Sequence, residues 1–228
     1  MKVRVLLVAA LVAFASACAQ GAPERHAPGP VMQTQINLPD DGPPVGADGL
    51  YNNMGACPGE GCGVSSWQRI NTQTPLLEQP TPAATVVAML PEGEWVRALN
   101  SVDRWRPVRG VVTDEAQAQY NLNGAGPLQL GDVVYTIGYE GEGFITLWKR
   151  GAEISWYDPG GDGPAVGGIR WDPIDPSRRD ADTANGAGFW IQAQRENGQS
   201  GWVRAETVEC LSGMDPTDAC RTRNEPPH

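Results

Sequence analysis

Phe189-Trp190-Ile191-Gln192-Ala193-Gln194-Arg195-Glu196-Asn197-Gly198-Gln199-Ser200-Gly201-Trp202-Val203 is two apolar runs folded about an Asn-Gly pair. Asn and Gly both tolerate positive φ, so this dipeptide between alternating runs is a strong hairpin signal. Working outward, the same pattern of short strand and tight turn recurs. Residues 74–80 form a short strand that ends in a proline turn. Residues 86–90 run into Pro91-Glu92-Gly93, after which residues 94–99 alternate polar and apolar. Further strands are expected at 107–113, 133–137 and 144–148, the last two joined through Gly141-Glu142-Gly143. No long amphipathic helix is visible. One helical turn is expected around 114–120, and 155–188 reads as a long Gly, Pro and Asp-rich loop. Strands this short and this frequently turned predict a mainly β chain closed as a small barrel.

The N-terminus carries a different message. Met1-Lys2-Val3-Arg4 is cationic, 5–14 is apolar, and Ala15-Ser16-Ala17-Cys18 closes the run with small residues, the three-part layout of a secretory signal. The apolar run is too short for a membrane span, which needs about 20 residues. Two cuts stay open: ordinary signal peptidase, releasing a soluble periplasmic or secreted chain, or a lipobox in which the Cys18 thiol is lipidated. The second is preferred because a polar, proline-rich stretch follows the Cys at once, although Ala15 stands where a lipobox usually has Leu. Ala19 rather than Asp after the Cys points to the outer membrane, facing the periplasm. The expected organisation is therefore signal peptide 1–17, disordered tether 18–50, β domain 51–213 and polar tail 214–228.

With Cys18 lipidated, four of the five Cys remain: Cys57, Cys62, Cys210 and Cys220. They are read as disulfides of an oxidising compartment, with connectivity open. Their spacing has no Cys-x-x-Cys pair for zinc. The net charge of −10, more negative once Lys2 and Arg4 are removed, disfavours nucleic acid and anionic lipid as partners. Contact with the membrane is expected only through the lipid anchor.

Candidate chemistry is narrow. The two His, His26 in the tether and His228 at the last position, cannot serve a rigid Ser-His or Cys-His site. Glu140, Glu142, Asp158 and Asp162 could supply the carboxylate pair of a glycosidase, but acidic residues in Gly-rich turns are ordinarily solvated. The run 180–186 begins like an EF-hand loop. However, Gly186 comes one position late and Ile191 stands where the bidentate Glu belongs, so no metal and no cofactor is assigned. Eight Trp are present. Trp95, Trp148, Trp190 and Trp202 fall on strands and are expected in the core. Trp105, Trp156 and Trp171 sit in polar or turn contexts beside Arg104, Arg106, Tyr157 and Arg170. Trp105, Trp156, Tyr157, Arg170 and Trp171 are therefore the expected ligand-binding residues of a peptide or sugar groove.

The order of proline-ended strand, apolar strand, Pro-Glu-Gly turn, Trp95-Val96 strand and a terminal hairpin ending Gly201-Trp202-Val203 resembles bacterial SH3-like (SH3b) domains. Leu130-Gly131-Asp132-Val133-Val134-Tyr135 also looks like that family's central turn and strand, duplicating the unit at 91–99. The resemblance covers about 74–208. It implies a small SH3-like β-barrel, either enlarged by insertions or formed of two fused, partly degenerate barrels. It further implies a non-catalytic module that binds peptidoglycan or a periplasmic protein. The competing expectations are a carboxylate-dependent glycan hydrolase and a structural accessory lipoprotein of an envelope complex.

Overall fold

In the computed structural model, the described residues are 36–56, 67–120, 122–123, 128–141, 143–158 and 166–209. All belong to the compact unit Gln33–His228; the preceding unit, Met1–Met32, lies outside them. Cys18 and the four Cys read as disulfides, Cys57, Cys62, Cys210 and Cys220, also lie outside them, as does the tail 214–228.

In chain order the strands and helices are β1 (Ile36–Asn37), β2 (Pro44–Val45), β3 (Tyr51–Met54), β4 (Trp67–Ile70), β5 (Thr74–Leu77), β6 (Val86–Leu90), β7 (Trp95–Trp105), β8 (Arg109–Val112), α1 (Glu115–Tyr120), β9 (Leu122–Asn123), β10 (Val133–Gly141), β11 (Phe144–Lys149), β12 (Ala152–Tyr157), β13 (Ile169–Trp171), α2 (Pro176–Ala184), β14 (Gly188–Gln194), β15 (Ser200–Arg204) and β16 (Val208–Glu209). The chain is mainly β and barrel-like. Its first large sheet runs β16-β4-β7-β14-β15-β5-β6, with β3 added on β7. Seven of these strands supply one core: Ile70, Leu76, Leu90, Val96, Ala98, Ile191, Ala193, Val203 and Val208. A sheet whose successive strands all face one core is curled upon itself.

The hairpin read first from the sequence is β14–β15. Gly198 sits at φ 84°, its N–H donating to Arg195 O at 3.0 Å, while Arg195 N–H donates to Gln199 O at 2.8 Å. That is a type I turn followed by a left-handed residue, the common three-residue hairpin loop.

β7 and β14 pair from Gly188↔Arg104 to Gln194↔Arg97, although residues 106–187 separate them in sequence. The intervening chain forms its own sheet, β13-β8-β10-β11-β12-β9, with a core of Val112, Ala118, Leu128, Val134, Leu147, Ile154, Trp156 and Ile169. Of the two arrangements expected, one barrel-like sheet interrupted by a β insertion is the one formed.

Two expectations are corrected here. The stretch 36–50 is not a loose tether. Val45 and Leu50 are buried, Asp48 pairs with Arg104, and Tyr135 Oη donates to Pro39 O at 2.7 Å. The loop expected over 155–188 contains the end of β12, β13 and α2. Asp175 caps α2, accepting from Ser177 N at 3.0 Å, and Pro176 opens the helix, where its missing N–H costs nothing.

Three arginines fasten the C-terminal end of α2 to the first sheet. Arg104, 1% exposed, donates to Asn52 Oδ1, Pro80 O and Asn185 O and pairs with Asp48. Arg106 pairs with Asp182 at 2.6 Å and donates to Asp48 O at 2.8 Å. Arg204 stacks on Trp190 at 4.4 Å and donates to Thr183 O at 2.8 Å. Cations at this end of a helix complement its dipole. Gly186 sits at φ 101°, a conformation L side chains rarely adopt, and a Cβ there would also lie 2.9 Å from Pro82 Cδ and against the Arg104 guanidinium.

Candidate functional site

Along β12 the residues alternate: Ile154 and Trp156 point into the insertion core, so Glu153, Ser155 and Tyr157 point to the other face. The register carries this across the neighbouring strands. Phe144 faces Tyr157, Thr146 faces Ser155, and Trp148 faces Glu153; on β10, Gly138 faces Thr146. Three rungs result on the outer face of the inserted sheet.

The first rung is aromatic, with the rings of Phe144 and Tyr157 5.2 Å apart and tilted by 56°. The second is a carboxylate held by hydroxyls. Thr146 Oγ1 donates to Glu140 Oε1 at 2.8 Å, and Ser155 Oγ donates to Glu140 Oε2 at 2.7 Å. The third, Trp148 and Glu153, is covered by β3. Tyr51 packs on Trp148 at 6.2 Å and donates its hydroxyl to Glu153 Oε1 at 2.8 Å. Burial raises the Tyr51 phenol pKa, as do the hydrogen bond and charge of Glu153. The face is thus closed at the Tyr51 end and open at Tyr157, which is 42% exposed.

Where β3 covers the face, the first sheet contributes a second feature. Asp103 on β7 lies opposite Asn53 of β3 and Phe189 of β14. Asn53 in turn sits over β10, so close that a Cβ at Gly138 would stand 2.5 Å from its Nδ2. Burial pushes the Asp103 carboxyl up to about 6, and among the described residues no charge or hydrogen bond offsets it. A desolvated carboxylate beside a polar face is a recognised signature of function, though structural sites show it too.

A shallow recess of about 420 Å³ lies at the hairpin end of the first sheet, lined by Gly93, Glu94, Trp95, Arg195, Glu196 and Asn197. Its wall is fixed by the Arg195 Nε–Glu94 Oε1 ion pair at 2.6 Å.

The expected ligand residues are dispersed. Trp156 is fully buried, its Nε1 donating to Ala118 O at 3.2 Å, and Trp171 packs edge-on against it at 6.2 Å. Reading Trp156 as an exposed aromatic is therefore corrected: its strand turns it inward. Trp105 is half-buried, its Nε1 donating to Thr136 Oγ1 at 3.3 Å. Arg170 is exposed on β13, toward the opposite edge of the same sheet, and of the five only Tyr157 lies on the three rungs described above. Of the four Trp expected in the core, Trp190 is buried, whereas Trp95, Trp148 and Trp202 are half-buried.

Of the acidic candidates, Glu140 is bound by two hydroxyls, and Asp158 N–H donates to Gly143 O at 2.7 Å. Glu142 and Asp162 lie outside the described residues. Sequence reading passed over Phe144, Thr146, Ser155 and Asp103 as site residues. The signal for the first three was present in the alternation of 144–149 and 152–157. Among the described residues no group of three His, Cys, Asp or Glu is placed to hold a metal, and no helix is long and apolar enough to cross a membrane. Comparison with family models, curated proteins and solved structures finds no match to this chain.

Proposed function

We propose that this chain is an exported module of the cell envelope, anchored through lipidated Cys18, that uses an enlarged SH3-like barrel to bind peptidoglycan without catalysis. The observation that carries this reading is the outer face of β10–β12, where an aromatic pair, half-buried Phe144 and exposed Tyr157, adjoins a carboxylate fixed by two hydroxyls. Side chains locked on a sheet lose little entropy on binding. The signal-like N-terminus and the acidic composition agree with an extracytoplasmic place.

Sedimentation of the mature chain with purified sacculi tests it. The wild type is expected in the pellet. The Phe144→Ala/Tyr157→Ala pair is expected to be retained at least about tenfold less, the equivalent of 1.4 kcal/mol. Trp95→Ala, in the other recess, is expected to sediment normally. A wild type that stays in the supernatant defeats the wall reading and favours a periplasmic protein partner. Labelling cells with a fatty acid tests the anchor: label absent from the wild type, or present on Cys18→Ser, contradicts it.

One observation favours the hydrolase alternative, the Asp103 carboxyl at about 6, suited to a general acid. That reading expects release of reducing ends from the same sacculi, abolished by Asp103→Asn. Binding without release excludes it for this substrate.

A further inference from the structure

We infer that the outer face of the inserted sheet takes the glycan rather than the peptide part of its ligand: an uncharged N-acetylated amino-sugar chain seated on Phe144 and Tyr157 and donating to Glu140. This rests on the wall-binding reading and specifies the chemistry within it.

The aromatic rung offers a flat apolar surface for the C–H face of a sugar ring, and Tyr157 leaves part of its ring open to solvent. The next rung lies two residues along each strand, about 7 Å away, so the hydroxyls of an adjoining sugar come to rest over Glu140, Thr146 and Ser155. Those groups are arranged to accept. Thr146 and Ser155 already spend their protons on Glu140, which leaves their oxygen lone pairs and the remaining lone pairs of the carboxylate facing outward. Such a surface matches hydroxyl and acetamido N–H donors. Among the described side chains of the three rungs there is no Lys or Arg. A carboxylate on a ligand therefore meets acceptors and negative charge only, in a chain whose net charge is −10. Stem peptides carry free carboxylates; along a peptide-bearing glycan strand the lactyl carboxyls are tied up as amides to those peptides, and the N-acetylated sugar rings themselves are uncharged.

The face is also bounded. Tyr51 and Asn53 close it at Glu153 and Gly138, so sugar rings extend from Glu140 past Phe144 and Tyr157.

The probe is a chitin tetrasaccharide, titrated into the mature chain by calorimetry beside an oligogalacturonate of equal length. Binding of the first, and at least tenfold weaker binding of the second, is expected. Tyr157→Ala is expected to weaken the tetrasaccharide about tenfold or more and Glu140→Gln severalfold, with Leu99→Ala, on the first sheet, unchanged. Unaltered thermal unfolding of each variant shows that the fold is kept. A chain that sediments with sacculi but ignores the tetrasaccharide overturns the glycan inference and leaves the wall reading standing. Failure of both overturns both. Tetrasaccharide binding indifferent to Tyr157→Ala and Glu140→Gln places the site elsewhere and overturns the inference, as does equal affinity for the acidic oligosaccharide.

Discussion

Arg104→Ala is expected to lower the unfolding free energy by about 3–5 kcal/mol, the usual cost of removing one partner from a buried, hydrogen-bonded ion pair. The guanidinium is 1% exposed and joins three segments distant in sequence: Asp48 and Asn52 just before and within β3, Pro80 after β5, and Asn185 at the end of α2. Without it, the Asp48 carboxylate and two carbonyls lose a donor inside the structure. Arg104→Met keeps most of the stem's packing and separates the two contributions. If the hydrogen bonds dominate, Met is nearly as damaging as Ala, and adding Asp48→Asn to Arg104→Met recovers part of the loss. Urea unfolding of the four chains measures this. A loss below about 1 kcal/mol for Arg104→Ala would show that α2 and the 46–52 segment are held by something else.

Asp103→Asn is expected to act in the opposite direction, and only above about pH 4. The folded chain holds this carboxyl at about 6 against an ordinary value of 3.8, because burial disfavours its charged form. The unfolded chain therefore releases its proton first. Below about 3.8 the group is neutral in both states and carries no penalty. Between 3.8 and 6 stability falls as pH rises, and above 6 the full penalty applies. A difference of this size corresponds to about 3 kcal/mol, with partial solvent access bringing it to roughly 2–3. Asparagine, neutral throughout and of the same shape, removes the penalty. Its advantage over the wild type in urea is expected to be near zero at pH 3.5 and to reach that range at pH 8. An equal difference at both pH values contradicts the desolvation account. Neither residue opposite Asp103 on the flanking strands, Asn53 or Phe189, carries a positive charge.

The parts of this architecture that sequence discloses are those encoded locally. The β14–β15 hairpin follows from Asn197-Gly198 between alternating runs. The turn at Gly93 and the turn at 141–143 likewise carry their own glycines. The pairing of β7 with β14 is not encoded locally, since it joins Arg97 to Gln194 across a whole second sheet. From the chain alone, the units at 91–99 and 130–135 look equally like two barrels. Composition hid the rest. The helix signal Asp175-Pro176-Ser177 stood within a Gly, Pro and Asp-rich stretch, and Val45 and Leu50 stood within a proline-rich one, so both segments read as unstructured. The candidate site turned on a single position of register. Trp156 and Tyr157 are adjacent aromatics, yet alternation sends the first into the core and the second to the open face. The charge state of Asp103 is a property of burial by three strands and a neighbouring sheet, which no local pattern expresses.

The most direct measurement is hydrogen exchange, followed by mass spectrometry, on the mature chain with and without muramidase-solubilised peptidoglycan fragments. Slower exchange confined to 138–157, the strands that carry Glu140, Phe144, Thr146, Ser155 and Tyr157, is the predicted result. Protection confined to the turns at 93–95 and 195–197, or no protection anywhere, would contradict the assignment of this face as the binding site.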